Sequence, residues 1–361
     1  VGYKALTAFT TGNYNAAFGM EALRVATTGY SNTSLGTFSL YDLNTGAQNV
    51  SIGLSSGENI TDGNNNVLVG YRAGYTGTSP DGAIGIGYRA LYNNTVDSSI
   101  AIGYDAGFAL TSGAGNIAIG YQALLTHTTG ARNIAIGYGA MDDTDAGSTS
   151  LGSTENIFIG KDSGGGTWAD AASSYNVAIG NLSMDAAMNG ALYNIGMGYG
   201  VLSGLTTGDS NVALGHGAGG SLTTGANNVL IGRATGDAHT SLQGTVIIGH
   251  YAGSAINNNN SDYSVMIGYN AGISVTSGTS NHLIGHYAGR YLSTNGYNTM
   301  FGHETGAHMN GSSNTFIGYY AGRGSSSSSP YGNGGNNVAI GREALMAISS
   351  GSINIAIGRD A

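Results

Sequence analysis

The residues with the clearest potential for binding chemistry form a column of aromatic and cationic side chains that recurs along the chain. Stacked rings of this kind can bind sugars, and they can equally stabilise a repetitive fold by packing on one another. Both interpretations stay open, and Tyr121 and Tyr138 are candidate ligand-binding residues. The column contains Tyr71, Tyr88, Tyr104, Tyr121, Tyr138, Tyr199, His216, Arg233, His250, Tyr269, His286, His303, Tyr319 and Arg342.

Three smaller features also have residue types suited to binding. Trp168, the only tryptophan, lies in a glycine-rich stretch, where it is either a sugar-binding platform or a side chain that folds back onto the protein. Asp142, Asp143 and Asp145 cluster their carboxylates, which suits either Ca²⁺ or a solvated turn. His286 could share a metal ion with the next member of its column, but no carboxylate or thiolate recurs beside them.

The sequence offers no recognisable catalytic set, and we predict no catalytic residue, cofactor or bound metal. The G-x-S-x-G and H-E-x-x-H motifs are missing, and the many G-x-G strings arise from repetition rather than from a phosphate-binding loop. A polysaccharide-cleaving enzyme with acids on neighbouring repeats stays open as an alternative, and broken threonine columns leave an ice-binding surface as a remote one. With a net charge of −9 and scattered cations we expect no nucleic-acid partner, and without long apolar runs we expect no membrane insertion.

These side chains must be positioned by a short repeat. A glycine that follows an apolar residue, here called the anchor glycine, recurs 21 times between Gly2 and Gly358, and 13 of the 20 intervals are 17 residues long. Such regularity predicts a β-solenoid, an all-β fold in which each repeat forms one coil of about 17 residues. We expect residues 1–361 to form one continuous solenoid that starts and stops within a repeat, as a segment of a longer protein.

Strand parity predicts which side chains share a face. The residues one and three positions before the anchor glycine, such as Ile119 and Ile117, point to one side, and the residue between them, such as Ala118, points to the other. We assign the Ile and Val pair to the interior and the central residue to the outside. Because the central residue stays apolar, we expect its face to be covered by further copies of the chain, in a homotrimer.

Asparagine occupies the position four before the anchor glycine in 16 of 20 repeats. Asparagine suits a turn, and stacked asparagine side chains can hydrogen-bond one another between neighbouring coils. The repeat breaks its period at four places, where we expect surface loops that carry any recognition. These loops span residues 142–155, 163–175, 256–263 and 324–335.

The strings N-I-A-I-G at residues 116–120 and N-V-A-I-G at 337–341 resemble the N-S-V-A-I-G unit of YadA-like heads of trimeric autotransporter adhesins. The longer form, Y-Q-A-L at 121–124 followed by T-T-G-A-R-N at 128–133, is similar to repeats of phage tail fibres and of surface proteins with a fibre chaperone domain. The period is longer than that of the adhesin unit. The resemblance implies a left-handed parallel β-roll, trimeric, that binds host surfaces through a glycan or protein receptor. We therefore expect an extracellular structural or adhesive fibre segment, a shaft or a receptor-binding head, on a cell surface or a virion tail.

Overall fold

The computed structural model describes residues 2–144, 152–169, 171–256, 262–324 and 332–361, and it confirms an all-β parallel β-solenoid with coils of about 17 residues. No helix occurs in these ranges. The chain divides into two compact units, Val1–Gly190 and Ala191–Ala361, and each unit is a solenoid of its own. The continuity of one solenoid over the whole chain, and its handedness, stay predictions.

Every strand has three residues and ends directly before an anchor glycine. The first unit contains β1 Ala16–Phe18, β2 Thr33–Leu35, β3 Val50–Ile52, β4 Val67–Val69, β5 Ile84–Ile86, β6 Ile100–Ile102, β7 Ile117–Ile119, β8 Ile134–Ile136, β9 Ile157–Ile159 and β10 Val177–Ile179. The second unit contains β11 Ile195–Met197, β12 Val212–Leu214, β13 Val229–Ile231, β14 Val246–Ile248, β15 Val265–Ile267, β16 His282–Ile284, β17 Thr299–Phe301, β18 Thr315–Ile317, β19 Val338–Ile340 and β20 Ile355–Ile357.

Within each unit the strands pair in parallel, residue for residue, with the same position of the next coil. Ala118 of β7, for example, pairs with Ala135 of β8. The anchor glycine permits this close stacking, because a Cβ added at Gly103 would lie only 2.2 Å from the carbonyl oxygen of Gly120. The same glycine has a φ of +142°, a conformation that residues with a Cβ rarely adopt. Stacking in register places the side chains of equivalent positions above one another along each unit.

The asparagine column forms the hydrogen-bonded ladder that the sequence predicts. The Oδ1 atom of Asn194 accepts hydrogen bonds from the backbone N–H and the Nδ2 group of Asn211, at 3.0 and 2.9 Å. Asn211 Nδ2 also donates to the carbonyl of Gly225 at 2.8 Å. Both asparagines are fully buried, so each side chain satisfies backbone groups that water cannot reach. The asparagine therefore joins three consecutive coils.

The assignment of the strand faces to inside and outside was wrong, because the central strand residue points inward. Ala118 is fully buried, whereas Ile102, beside the anchor glycine of its coil, keeps 38% of its surface exposed. Parity separates the two faces correctly, but it does not determine which face lies inside. Small central residues fit the interior of the first unit because leucines from the opposite wall, such as Leu110 and Leu124, fill the remaining space.

The interior is packed by volume compensation between two positions of the same coil. Where the central residue is large, as at Phe316, the residue four after the anchor glycine is glycine, and a Cβ added at Gly322 would lie 2.5 Å from the phenylalanine ring. Where the central residue is small, that position is leucine or methionine in most coils; a Cβ added at Gly85 would lie 3.6 Å from Cβ of Leu91. Most coils thus supply one bulky side chain and one small residue at these two positions.

Candidate functional site

The residues that directly follow the anchor glycines form the aromatic column, and in the first unit five of them, from Tyr71 to Tyr138, form a continuous ladder of stacked tyrosines. Consecutive ring centroids from Tyr71 to Tyr138 lie 4.8–5.2 Å apart, and neighbouring rings are within 19° of parallel. The faces of the inner rings, such as Tyr104 and Tyr121, are covered by their neighbours, so these rings present edges and hydroxyl groups to solvent. Stacking of a sugar needs a free aromatic face. Tyr138 ends the row of stacked tyrosines and is 54% exposed, with Nζ of Lys161 at 6.0 Å from its centroid.

The second unit continues the same column position with histidines among the tyrosines. His250, Tyr269, His286, His303 and Tyr319 stack in that order, with centroids 4.9–5.4 Å apart. The two imidazoles of the hypothesised metal pair stack almost in parallel, at 4.9 Å and 13°. Among the residues that the structure describes, no group of three or more potential metal ligands comes together.

A second aromatic row, with arginines stacked on it, was missed by the sequence analysis. Tyr75, Tyr92 and Phe108, each five positions after an anchor glycine, stack at 5.0–5.1 Å. The guanidinium of Arg72 lies 4.8 Å from the ring of Tyr75, and that of Arg89 lies 4.7 Å from the ring of Phe108. Arginine on a ring face contributes a cation–π attraction. The recurrence of aromatic residues at a second fixed distance from the anchor glycine was a signal that could have identified this row.

Trp168 does not form a surface platform. Its side chain is fully buried, its Nε1 donates to the carbonyl of Gly164 at 3.1 Å, and its ring packs edge-on against Phe158 with centroids 5.7 Å apart. Of the predicted loop 163–175, the described residues bond to the coils on either side, for example through the backbone N–H of Ala169 to the carbonyl of Met188. The side chain therefore folds back into the core, the second of the two interpretations.

The acidic cluster is only partly described, because Asp145 lies outside the described residues. Asp142 and Asp162 face the same small space on neighbouring coils: a Cβ added at Gly139 would lie 3.2 Å from Asp142 Oδ2 and 2.6 Å from Asp162 Oδ1. Burial, with the negative charges of Asp162 and Asp143 added to it, raises the pKa of Asp142 to about 6. Asp143 accepts a hydrogen bond from the hydroxyl of Thr167 at 2.5 Å. The pair of carboxylates is thus a site where a proton is held at mildly acidic pH.

Replacing Asp142 with asparagine is expected to stabilise the protein above about pH 6 and to have little effect below about pH 4. The folded pKa is raised, so the folded state binds more protons than the unfolded state between these values, and its stability falls as pH rises. The side chain is half-buried, and after allowance for solvent screening the gain is roughly 1 kcal/mol. Denaturation midpoints measured across pH check this. Asp97→Asn, at an exposed site, is the matched control, and a pH-independent effect of Asp142→Asn would contradict the assignment.

The remaining predicted surfaces are the three other loops and the threonine columns of the turns. Parts of the predicted loops 142–155, 256–263 and 324–335 lie outside the described residues. In the turns, the threonine hydroxyls are engaged between coils: the hydroxyl of Thr206 donates to the carbonyl of Thr223 at 3.1 Å, and that of Thr223 to Thr240 at 2.9 Å. These hydrogen bonds stabilise the stacking of neighbouring coils, so these hydroxyl groups do not form a free array on the surface.

Comparison with known proteins identifies no family for this chain. No protein-family model matches the chain, and no match was found among curated proteins. Within the described part of the chain, no helix has the length and apolarity that crossing a membrane requires.

Proposed function

We propose that this chain is a structural and adhesive fibre segment, located outside the cell on a surface appendage or on a virion tail, that mediates attachment. The observation that carries the proposal is the outward face of each unit. Because the central strand residues point inward, the outward face consists of the flanking Ile and Val columns with the aromatic column beside them. This face is predominantly apolar along each unit, with threonines such as Thr33 and Thr299 and a few cations as exceptions, which is typical of a surface that another chain covers.

The size of the face supports self-association. The face of each unit is ten coils long, at about 4.8 Å per coil, and five residues wide, from the first strand residue to the aromatic column. Its area is therefore roughly 650 Å². Two such faces together come to about 1,300 Å², which lies within the range of specific protein interfaces. The face also lacks carboxylates: the position before the anchor glycine is apolar in every described strand, as at Ile86, Ile231 and Phe301. We infer a homotrimer, with the number of chains taken from the resemblance to trimeric adhesin heads.

The substitution Ile102→Glu, on the outward face, is expected to weaken self-association by roughly 100-fold, because a carboxylate would be buried against another copy without a partner. Sedimentation equilibrium of the full chain measures the effect. Ala114→Glu makes a comparable charge change at an exposed residue outside the strands, and we expect it to associate normally. A wild-type chain that is monomeric at micromolar concentration would overturn this part of the proposal.

The adhesive role requires a receptor, for which we propose a host surface glycan or protein. We propose the last ring of the tyrosine ladder, Tyr138, for contact with a sugar through its edge and hydroxyl group, because one face stacks on Tyr121 and Nζ of Lys161 lies 6.0 Å from its centroid. Binding of the full chain to a glycan array, compared with Tyr138→Ala, tests a lectin-like head. A fibre that binds no glycan and no cell surface would leave the structural role and remove the adhesive one.

One observation favours a second candidate function, the cleavage of a polysaccharide. Asp142 and Asp162 present two carboxylates to one space, and the raised pKa of Asp142 suits a general acid beside an ionised partner. Release of reducing ends from a panel of acidic and neutral polysaccharides tests this function. Activity that is lost in Asp142→Asn would support it, whereas a panel without any released product would remove it.

A further inference from the structure

The two units differ sharply in the residues that gain charge in mild acid. The second unit contains seven of the eight histidines of the chain, with five arginines against six carboxylates. Its formal charge is therefore −1 at neutral pH, and it rises to +6 when all seven histidines are protonated. Histidine is the residue whose ordinary titration range lies between pH 5 and 8. The first unit has one histidine, His127, and one carboxyl with a pKa of about 6, Asp142, so its charge changes much less over this range.

Five of these histidines lie on the outward face of the second unit: His216, His250, His286 and His303 in the aromatic column, and His282 as the exposed first residue of β16. We name the stack of His250, Tyr269, His286, His303 and Tyr319 the histidine column. Arg233 and Arg342 occupy the same coil position at its two ends. The first unit carries only tyrosine at the equivalent stacked positions, so the column is the feature that distinguishes the two faces.

Protonation of the column would be costly on a covered face. The imidazoles of His286 and His303 stack at 4.9 Å, so two positive charges on these rings would repel one another at close range. The Nδ1 atoms of His250 and His303 are buried and have no hydrogen-bond partner. A proton added there would be a buried donor without an acceptor.

No neighbouring carboxylate is free to neutralise these charges. Glu304 is paired with Arg323 at 2.8 Å, and Glu343 is paired with Arg342 at 2.9 Å. The other groups that face the three histidines of the column are tyrosines and cations. These are Tyr251 and Tyr269 at His250, Tyr269 and Tyr287 at His286, Tyr319 and Tyr320 at His303, and the nearby cations Arg233, Arg290, Arg323 and Arg342.

We propose that the histidine column is an acid switch on the contact between copies: mild acid opens the association of the second unit and leaves that of the first unit closed. This inference rests on the self-association proposed above. Acid adds positive charge in a row, between arginines, on a face whose strand and column positions carry no carboxylate, and His282 on the neighbouring strand adds to that charge. Without these charges the imidazoles pack on their neighbours as the tyrosines of the first unit do.

The test uses the natural absence of cysteine. Thr299→Cys and Thr33→Cys place a thiol at the first residue of β17 and of β2, both exposed threonines on the outward strand face. Each full-length variant is labelled with pyrene maleimide, whose excimer fluorescence reports two copies in contact. Between about pH 8 and about pH 5.5 we expect the excimer signal to fall roughly tenfold at residue 299 and to hold at residue 33.

The background H216Y/H250Y/H286Y/H303Y, with H282T because His282 pairs with Thr299, converts the outward face to the tyrosines and threonines found elsewhere on it, and we expect residue 299 to keep its excimer in acid. If that chain folds poorly, H216Q/H250Q/H282Q/H286Q/H303Q removes the charge without adding rings. An excimer at both sites that is unaffected by acid overturns the switch alone, as does a loss that persists in both backgrounds without histidine on the outward face. No excimer at either site at about pH 8 overturns the self-association itself, and the switch with it.

Discussion

Replacing Gly322 with leucine is expected to destabilise the second unit by at least about 3 kcal/mol, and replacing Phe316 with alanine in the same chain is expected to recover most of that loss. The leucine side chain would enter the space of the phenylalanine ring, which lies 2.5 Å from the added Cβ. Phe316→Ala alone leaves a cavity and costs about 3–5 kcal/mol. The double variant recreates the pairing of Ala118 with Leu124, which the first unit already uses.

Backbone strain does not account for this prediction. Leu124 has a φ of +52° and Gly322 a φ of +54°, so leucine already occupies this conformation in another coil. Gly217→Leu is the matched control, because Gly217 has a φ of +66° and its added Cβ meets no other atom within 4 Å. We expect that control to cost about 1–2 kcal/mol, the price of the left-handed conformation alone. Urea denaturation of the four chains measures the coupling, and additive losses would contradict volume compensation.

Removing one rung of the asparagine ladder is expected to cost about 3 kcal/mol. Asn211→Ala deletes the bonds from its Nδ2 to Asn194 and Gly225, and it removes the acceptor for the backbone N–H of Asn228 at 3.2 Å. Each lost bond contributes roughly 1 kcal/mol, and buried groups left without partners add to the cost.

Serine at the same position provides the matched comparison. Ser264 occupies this column in another coil, and its hydroxyl oxygen accepts the backbone N–H of Asn281 at 3.2 Å. Asn211→Ser therefore keeps one acceptor, and we expect it to lose about half as much stability as Asn211→Ala. Hydrogen exchange localises the effect, with faster exchange expected at Asn228 and its neighbours. Equal stability of the alanine and wild-type chains would show that the ladder contributes nothing.

Much of the candidate site was visible in the sequence, but its geometry was not. The spacing of Tyr121 and Tyr138 predicted that their rings would stack, and they do, at 4.9 Å. The spacing did not reveal that stacking covers the ring faces. Trp168 lay where the period breaks, which indicated a loop, yet its ring completes the core beside Phe158. Only packing shows whether an aromatic side chain is enclosed.

The sequence by itself determined the solenoid, its coil length, its parallel register and its asparagine ladder. These features depend on the period of the repeat and on the local chemistry of its residues, and both can be read directly from the order of residues. The tertiary structure decided which strand face is the interior. Parity leaves the two faces equivalent, and the choice depends on the volume that the opposite wall of the coil leaves free. A signal for it does exist, since bulky Phe316 is matched with Gly322 and small Ala118 with Leu124. Once the alanines are inside, the isoleucines and the aromatic column form the outer face, and this face carries the proposed contact between copies.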